Sequence, residues 1–97
     1  LKAKGAIELD QGAVDAIRSN GVSILAVGVS SVSGEFERGD VVSVRAPDGS
    51  EVGRGLVNYG AADARLLVGH PSTRIESLLG YVDEPELIHR DNLAVLV

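Results

Sequence analysis

The sequence predicts a mixed α+β fold that is mainly β: a small pseudo-β-barrel with short helices packed at its ends. Three observations support this. The apolar runs that indicate strands are short, one segment has the spacing of an amphipathic helix, and 12 glycines are spread over 97 residues. Glycines inside strands mark bulges and sharp bends, which a small barrel requires. This length suffices for one hydrophobic core, so we expect a single domain over residues 1–97.

The first strand and the first helix have the clearest signals. A short apolar strand over residues 6–9 is followed by Asp10, at the position of a helix N-cap whose carboxylate accepts from free backbone amides. Apolar residues then recur at i, i+3 and i+4, the spacing of a helix with one buried face. Gly21 can adopt the left-handed conformation that ends a helix. The pattern predicts a helix over residues 11–20.

The middle of the chain predicts three strands. Residues 24–29 are a brief apolar run typical of a buried strand, and residues 30–34 are a polar loop. Residues 40–46 alternate between apolar and polar positions, as a strand does. A turn over residues 47–49 follows, because proline presets one torsion and glycine accepts a positive φ. Residues 51–59 form the return strand, in which Val52, Arg54, Leu56 and Asn58 are expected to share one face.

The last third of the chain is less regular. Residues 61–68 and 72–79 are candidate helices, the second with its first residue, Ser72, as N-cap. Gly80 is expected to end the second helix. Residues 87–89 and 93–97 are candidate closing strands, joined by a turn.

Composition narrows the class of protein. The net charge is −5 and the pI is near 4.8, whereas nucleic-acid binders usually carry clustered Lys and Arg. There is no cysteine for a disulfide or a zinc-thiolate site, and the longest apolar runs fall far short of the ~20 residues that span a bilayer. We therefore expect no membrane partner and a cytoplasmic location. The chain opens with Leu1 and lacks methionine, so we expect a domain excised from a longer protein.

Two glycine motifs resemble ligand loops only weakly. Gly53-Arg54-Gly55 lacks the third glycine and the following helix of a dinucleotide fingerprint, and a barrel corner explains it better. The segment over residues 69–73 lacks the lysine of a phosphate loop, and a proline turn before a helix accounts for it.

No set of polar residues has the spacing of an active site. His70 and His89 have no partners at regular metal-ligand spacing, and Glu35 and Glu37 lie two apart in a turn region where both can be solvated. The serines lack a base-and-orienter set. We therefore predict no catalytic, cofactor-binding or metal-binding residue in this chain.

The order of three motifs resembles the PUA domain, a pseudo-barrel named for pseudouridine synthases and archaeosine transglycosylases. A helix ending in Asn20-Gly21 precedes Gly34-x-Phe36-x-x-Gly39-Asp40-x-Val42-x-Val44, which precedes Arg54-Gly55-Leu56-Val57-Asn58. The resemblance runs from about residue 5 to about residue 88. It implies a PUA-like pseudo-β-barrel.

Four segments look like the PUA domain at the C-terminus of the glutamate 5-kinase family. They are Leu9-Asp10-Gln11-Gly12-Ala13, Ser23-Ile24-Leu25, Arg54-Gly55-Leu56-Val57-Asn58-Tyr59 and Ile88-His89-Arg90-Asp91-Asn92-Leu93. In that family an N-terminal amino-acid-kinase domain uses ATP and magnesium to phosphorylate the γ-carboxylate of glutamate, the first step of proline synthesis. The resemblance implies an enzymatic parent whose chemistry lies outside these 97 residues.

The resemblance implies an accessory or regulatory domain. It is expected to dock on its own N-terminal amino-acid-kinase domain or on neighbouring subunits of a homo-oligomer. An apolar strip that the core does not need is the expected docking face, with Phe36, Val57 and Tyr59 as candidates.

Two alternatives remain open. PUA domains commonly bind RNA, and Lys4, Arg18, Arg38 and Arg54 are then the candidate contacts, although the acidic balance argues against this. The domain could also belong to a different enzyme.

Overall fold

The computed structural model describes residues 2–96 and confirms the mixed α+β class. Five strands form one sheet, and three short helices accompany it. The strands are β1 (Gly5–Leu9), β2 (Val29–Gly34), β3 (Val41–Arg45), β4 (Glu51–Leu56) and β5 (Leu93–Val95). The helices are α1 (Gln11–Asn20), α2 (Ala61–Leu67) and α3 (Ile75–Leu79).

The strand order in the sheet is β2-β1-β3-β4-β5. β1 runs parallel to β3, with Ile7 opposite Val44, and every other neighbouring pair is antiparallel. The side chains of Ile7, Leu9, Val42 and Val44 are all fully buried. Alternate residues of β1 and β3 therefore form the part of the hydrophobic core that lies against the sheet.

Helix α1 forms where the sequence predicts it. The Asp10 carboxylate accepts a hydrogen bond of 2.8 Å from the amide of Ala13, which satisfies one of the free N–H groups of the first turn. At the other end Gly21 has φ 59° and donates to the carbonyl of Ile17. Val14 and Ile17 face the core. Local capping and one apolar stripe therefore determine both ends of this helix.

The prediction of a buried strand over residues 24–29 is wrong. Ile24 forms only an isolated bridge with Ile88, and Ala26–Gly28 make a single 3₁₀ turn. The strand lies one segment later, in β2, where the sequence predicts a polar loop. β2 is an edge strand with mostly exposed side chains, so its serines can face water while its backbone pairs with β1.

The prediction that four residues of the return strand share one face is wrong because the strand contains a β-bulge. The register shifts so that Val44 pairs with Gly53 while Arg45 pairs with Glu51, which leaves Val52 unpaired between them. Val52 is fully buried, whereas Arg54 and Leu56 are exposed, so these residues do not share one face. The bulge interrupts the simple alternation on which that prediction relied.

The C-terminal third matches its predictions in part. α2 is confirmed, and the second predicted helix is divided into a 3₁₀ turn at Ser72–Arg74 and the short helix α3. Ser72 is not an N-cap, because it is itself the first residue of that 3₁₀ turn. Gly80 ends α3 with φ 83°, as predicted. Of the predicted strand over residues 87–89 only the bridge of Ile88 forms, and Val97 lies outside the described residues.

Candidate docking surface

The three residues predicted to dock are buried in the core. Phe36, Val57 and Tyr59 expose 5%, 1% and 1% of their surface, so the expectation that they form an exposed strip is wrong. The Phe36 ring packs against Gly5, where a Cβ would lie 2.7 Å from its Cδ2 atom. Glycine at that position opens the space that Phe36 fills.

Tyr59 is held in the core by hydrogen bonds of its hydroxyl group and by a contact of its ring. Its hydroxyl donates to the carbonyl of Glu84 and accepts from the amide of Asp83 at 3.0 Å. Its ring lies 6.2 Å from the ring of Tyr81. A buried tyrosine is stable only when its hydroxyl has such partners, and here it anchors the loop after α3.

The four candidate RNA contacts lie on four different parts of the fold. Lys4 precedes β1, Arg18 is in the last turn of α1, Arg38 is in the loop before β3, and Arg54 is on β4; all four are exposed. Arg38 forms an ion pair with Asp83, and the Nε atom of Arg54 lies 3.0 Å from a Glu51 oxygen. Neighbouring carboxylates therefore offset part of the positive charge that a phosphate would require.

The outer face of β3 and β4 carries a polar network. The Ser43 hydroxyl donates to Glu51 and accepts from Arg45 Nε at 3.3 Å, while Arg54 donates to the same Glu51 oxygen. The hydrogen bond from Ser43, followed by that from Arg54, lowers the pKa of Glu51 below its ordinary value of 4.5. The network covers Ser43 so completely that this polar residue is buried.

A second polar contact joins α2 to the loop that follows α3. The Tyr81 hydroxyl donates to the Asp63 carboxylate. This hydrogen bond, together with burial and the negative charge of Asp63, raises the pKa of Tyr81 to about 12. A phenol that donates to a carboxylate resists ionisation, so this contact is structural at neutral pH.

The residues that the structure describes do not fit a nucleotide or magnesium site. Gly53 and Gly55 lie inside β4, with a β-bulge beside Gly53, so these glycines have a structural role and no helix follows them to receive a phosphate. His89 accepts from the amide of Asp91 at 3.0 Å and caps a 3₁₀ turn. No group of three or more potential metal-ligating side chains occurs within residues 2–96. The same range holds no helix long and apolar enough to cross a membrane.

An apolar depression lies beside α1 and is here called the α1 groove. Its volume is about 360 Å³, at the lower end of the ~300–1,000 Å³ typical of ligand pockets. One wall is α1 and the other is the segment over residues 22–28. The apolar lining includes Ala13, Ala16, Ile17, Val22, Leu25 and Val27.

The rim of the α1 groove is formed by three exposed aliphatic side chains. Val22, Leu25 and Val27 expose 39%, 40% and 51% of their surface, although Ile24 and Ala26 between them are buried. Burial thus alternates along a run that is apolar at nearly every position. The sequence prediction missed this surface because it assigned the whole run to the core; the signal was present, since only one face of such a run is needed for packing.

Comparisons with known proteins support the family assignment. The family model described as "PUA domain" matches residues 5–79. The chain is 58% identical over all 97 of its residues to a glutamate 5-kinase of Halorhodospira halophila and 56% identical over 95 residues, 98% of the chain, to one of Methylococcus capsulatus. The match falls in the C-terminal region of these relatives. The chain spans only 26% and 25% of their lengths.

A solved structure supports the fold independently. A PUA domain from Aeropyrum pernix, crystallised as a tartrate complex, superimposes with a TM-score of 0.62 over 96% of this chain and 42% of its own length, at 19% identity. At that identity the likeness concerns the fold alone. The family model and the superposition agree over most of the residues that the structure describes, and the chain belongs to the PUA domain family.

Proposed function

We propose that this chain is the C-terminal accessory domain of a glutamate 5-kinase, where it docks on the kinase part or on a neighbouring subunit and modulates its activity. The observation that carries the proposal is the identity of 58% over the whole chain to about the last quarter of such an enzyme. The proposed parent transfers a phosphoryl group from ATP to glutamate in proline biosynthesis, in the cytoplasm.

In this proposal the chemistry takes place outside the PUA domain. We expect ATP and magnesium to bind in the remaining three quarters of the relatives' length. In this proposal the domain contributes a surface for contact with the kinase part or a neighbouring subunit. The α1 groove is a largely apolar depression, and an uncovered apolar surface usually marks a contact with another protein surface.

The test compares the complete parent with a version that lacks these 97 residues. Turnover, KM for glutamate, oligomeric mass and inhibition by proline are measured on both. We expect activity, oligomeric mass or proline inhibition to change, because a domain that docks on a catalytic part alters its conformational equilibrium or its assembly. If all three are the same in the two proteins, the accessory role is refuted.

RNA binding is the competing proposal, and the charges disfavour it. A net charge of −5 repels phosphates, and Arg38 and Arg54 already face carboxylates. A titration with a structured RNA at increasing salt separates the two proposals. Affinity that falls steeply with salt would indicate phosphate contacts, whereas undetectable binding at low salt would remove this alternative.

A further inference from the structure

We propose that the α1 groove is the docking site of this domain and that its occupant is an aliphatic or aromatic side chain from the kinase part of the same polypeptide. This inference rests on the proposed function, because it identifies the surface through which the accessory domain would act. It assigns Val22, Leu25 and Val27 as the rim that closes around the incoming side chain.

The first argument is the pattern of residues 24–29. A segment that is apolar on both faces is typical of one that is covered on both faces. In this domain only the inner face is covered, by the core around Ile24 and Ala26, while Leu25 and Val27 face outward. The outward face therefore has the composition of a buried surface without a neighbour to bury it.

The second argument is that the groove offers no cation to an anionic ligand. Two polar side chains line it, and each accepts a hydrogen bond from a backbone amide. The Asp10 carboxylate caps α1 at the amide of Ala13, and the Ser23 hydroxyl accepts from the amide of Arg90 at 2.8 Å. No Lys or Arg is among the residues that line the groove. A phosphate or carboxylate would meet the Asp10 carboxylate and no cation, whereas an apolar side chain needs no polar partner.

The third argument is that the backbone of the groove is held in place. The amide of Asp10 donates to the carbonyl of Gly28 at 2.9 Å, and the amide of Gly28 donates to Leu25 at 3.0 Å. The amide of Gly69 fastens the same segment by donating to Ala26 at 3.0 Å. Close packing adds to this, because a Cβ on Gly28 would lie 2.8 Å from the Cβ of Ala13. A preformed groove binds its partner at a smaller cost in conformational entropy.

The fourth argument is the short distance between the groove and the point where the preceding chain enters the domain. The relatives carry the matching region at their C-terminal end, joined to about three times its length of further chain. In such a protein the preceding chain enters at β1, which leads directly to Asp10 on the groove. Five strand residues cover ~17 Å at ~3.3 Å each, so a tethered partner at this distance has a high effective concentration.

The experiment uses the intact parent protein with two single substitutions. Val27→Asp places a charge on the groove rim, and Val82→Asp is its matched control, because Val82 is 49% exposed and follows α3 instead of lining the groove. Hydrogen exchange of the amides at residues 22–28 and small-angle scattering report whether the domain is docked. We expect Val27→Asp to accelerate exchange of this segment about tenfold or more and to expand the protein, while Val82→Asp does neither.

Equal behaviour of the two variants would overturn the assignment of the groove. If Val27→Asp lowers the yield of folded protein, Val27→Ser carries the same prediction with a smaller effect. The result is distinguishable from failure of the proposed function: a truncated parent with altered activity, together with a Val27→Asp variant that stays docked, would retain the accessory role and reject the groove. Protection of the groove amides by added RNA, with no effect of Val27→Asp on compactness, would also reject it.

Discussion

The outer face of the sheet and the α1 groove are both surfaces of the same small domain, but one carries a network of polar side chains and the other exposes aliphatic side chains. On the sheet, Ser43, Arg45, Glu51 and Arg54 bond to one another and cover the strands with a polar layer. At the groove, Val22, Leu25 and Val27 face outward, and the two polar side chains, Asp10 and Ser23, each accept a hydrogen bond from a backbone amide. The network satisfies the polar groups of the sheet face, although Leu56 beside it exposes 39% of its surface.

The difference supports the proposal that a second protein surface docks on the α1 groove. A monomeric domain tolerates scattered exposed aliphatic residues, but several of them around a depression mark a contact site. Acidic net charge and the pairing of Arg54 with Glu51 make the polar face a poor surface for nucleic acid. The following predictions test whether the two sides of the domain differ as described, beginning with the largest effect.

The largest effect is expected from Gly55→Ala on the sheet side. The added methyl group would lie 2.8 Å from both the carbonyl oxygen of Asn92 and the Cγ2 atom of Ile88, so the turn that precedes β5 and the Ile88 side chain must shift. We expect a loss of about 3 kcal/mol in the free energy of unfolding, measured by urea denaturation. The matched control is Gly12→Ala in α1, which has room for a methyl group and should gain about 0.5–1 kcal/mol from helix propensity. Destabilisation by both would contradict the difference in packing.

The next effect separates the core from the groove within one short segment. Val29 is 3% exposed, and Val29→Ala should cost about 2 kcal/mol because buried methyl groups are lost. Val27 is half-exposed, and Val27→Ala should change the free energy of unfolding of this chain by no more than about 0.5 kcal/mol. Thermal melts of the two variants make the comparison. Equal losses would place Val27 in the core and leave the groove without its rim.

A smaller effect is the acid sensitivity of the polar network. The folded state lowers the pKa of Glu51, chiefly through the hydrogen bond from Ser43. The network therefore stabilises the fold above pH 4.5, and this contribution is lost as the pH falls through the lowered pKa. Ser43→Ala should move the pKa of Glu51 upward and make the melting temperature less dependent on pH in this window. An unchanged Glu51 titration, followed by NMR of the carboxyl carbon, would contradict the role of Ser43.

The smallest effect concerns the contact between Tyr81 and Asp63. The contact raises the pKa of Tyr81 from 10 to about 12. Its contribution to stability is therefore complete below pH 10 and is lost as the pH rises from 10 to 12. Asp63→Asn should lower the pKa of Tyr81 toward 10, because the carboxylate that accepts the phenol proton is removed. Ultraviolet titration of phenolate absorbance measures the shift. An alkaline titration curve identical to that of the unmodified chain would show that Asp63 does not control Tyr81.

The elements with local signals could be predicted from the sequence. Asp10 and Gly21 mark the two ends of α1 by side-chain and backbone capping, which involve residues only a few positions away. The end of α3 at Gly80 and the alternating pattern of β3 are likewise signals that involve only residues close in sequence. The PUA family also follows from motif order, because the glycine and aromatic positions reflect close packing, as between Gly5 and Phe36.

The features that depend on distant partners were not predictable in this way. β2 is polar and becomes a strand only because β1 lies beside it, so its serines resemble a loop in sequence. Tyr59 looks like a surface anchor until the loop carrying Asp83 and Glu84 folds over its hydroxyl. The groove depends on which face of residues 24–29 meets the core, and an apolar run does not encode that choice locally.

The most direct test of the central claim is hydrogen exchange of residues 22–28 in the 97-residue chain and in the intact parent protein. If the α1 groove docks on the kinase part, these amides should exchange more slowly in the parent. Strands β3 and β4 should exchange at the same rate in both, because the polar network on their outer face forms within this domain. Equal rates for residues 22–28 in the two proteins, or slower exchange confined to β3 and β4, would contradict the account.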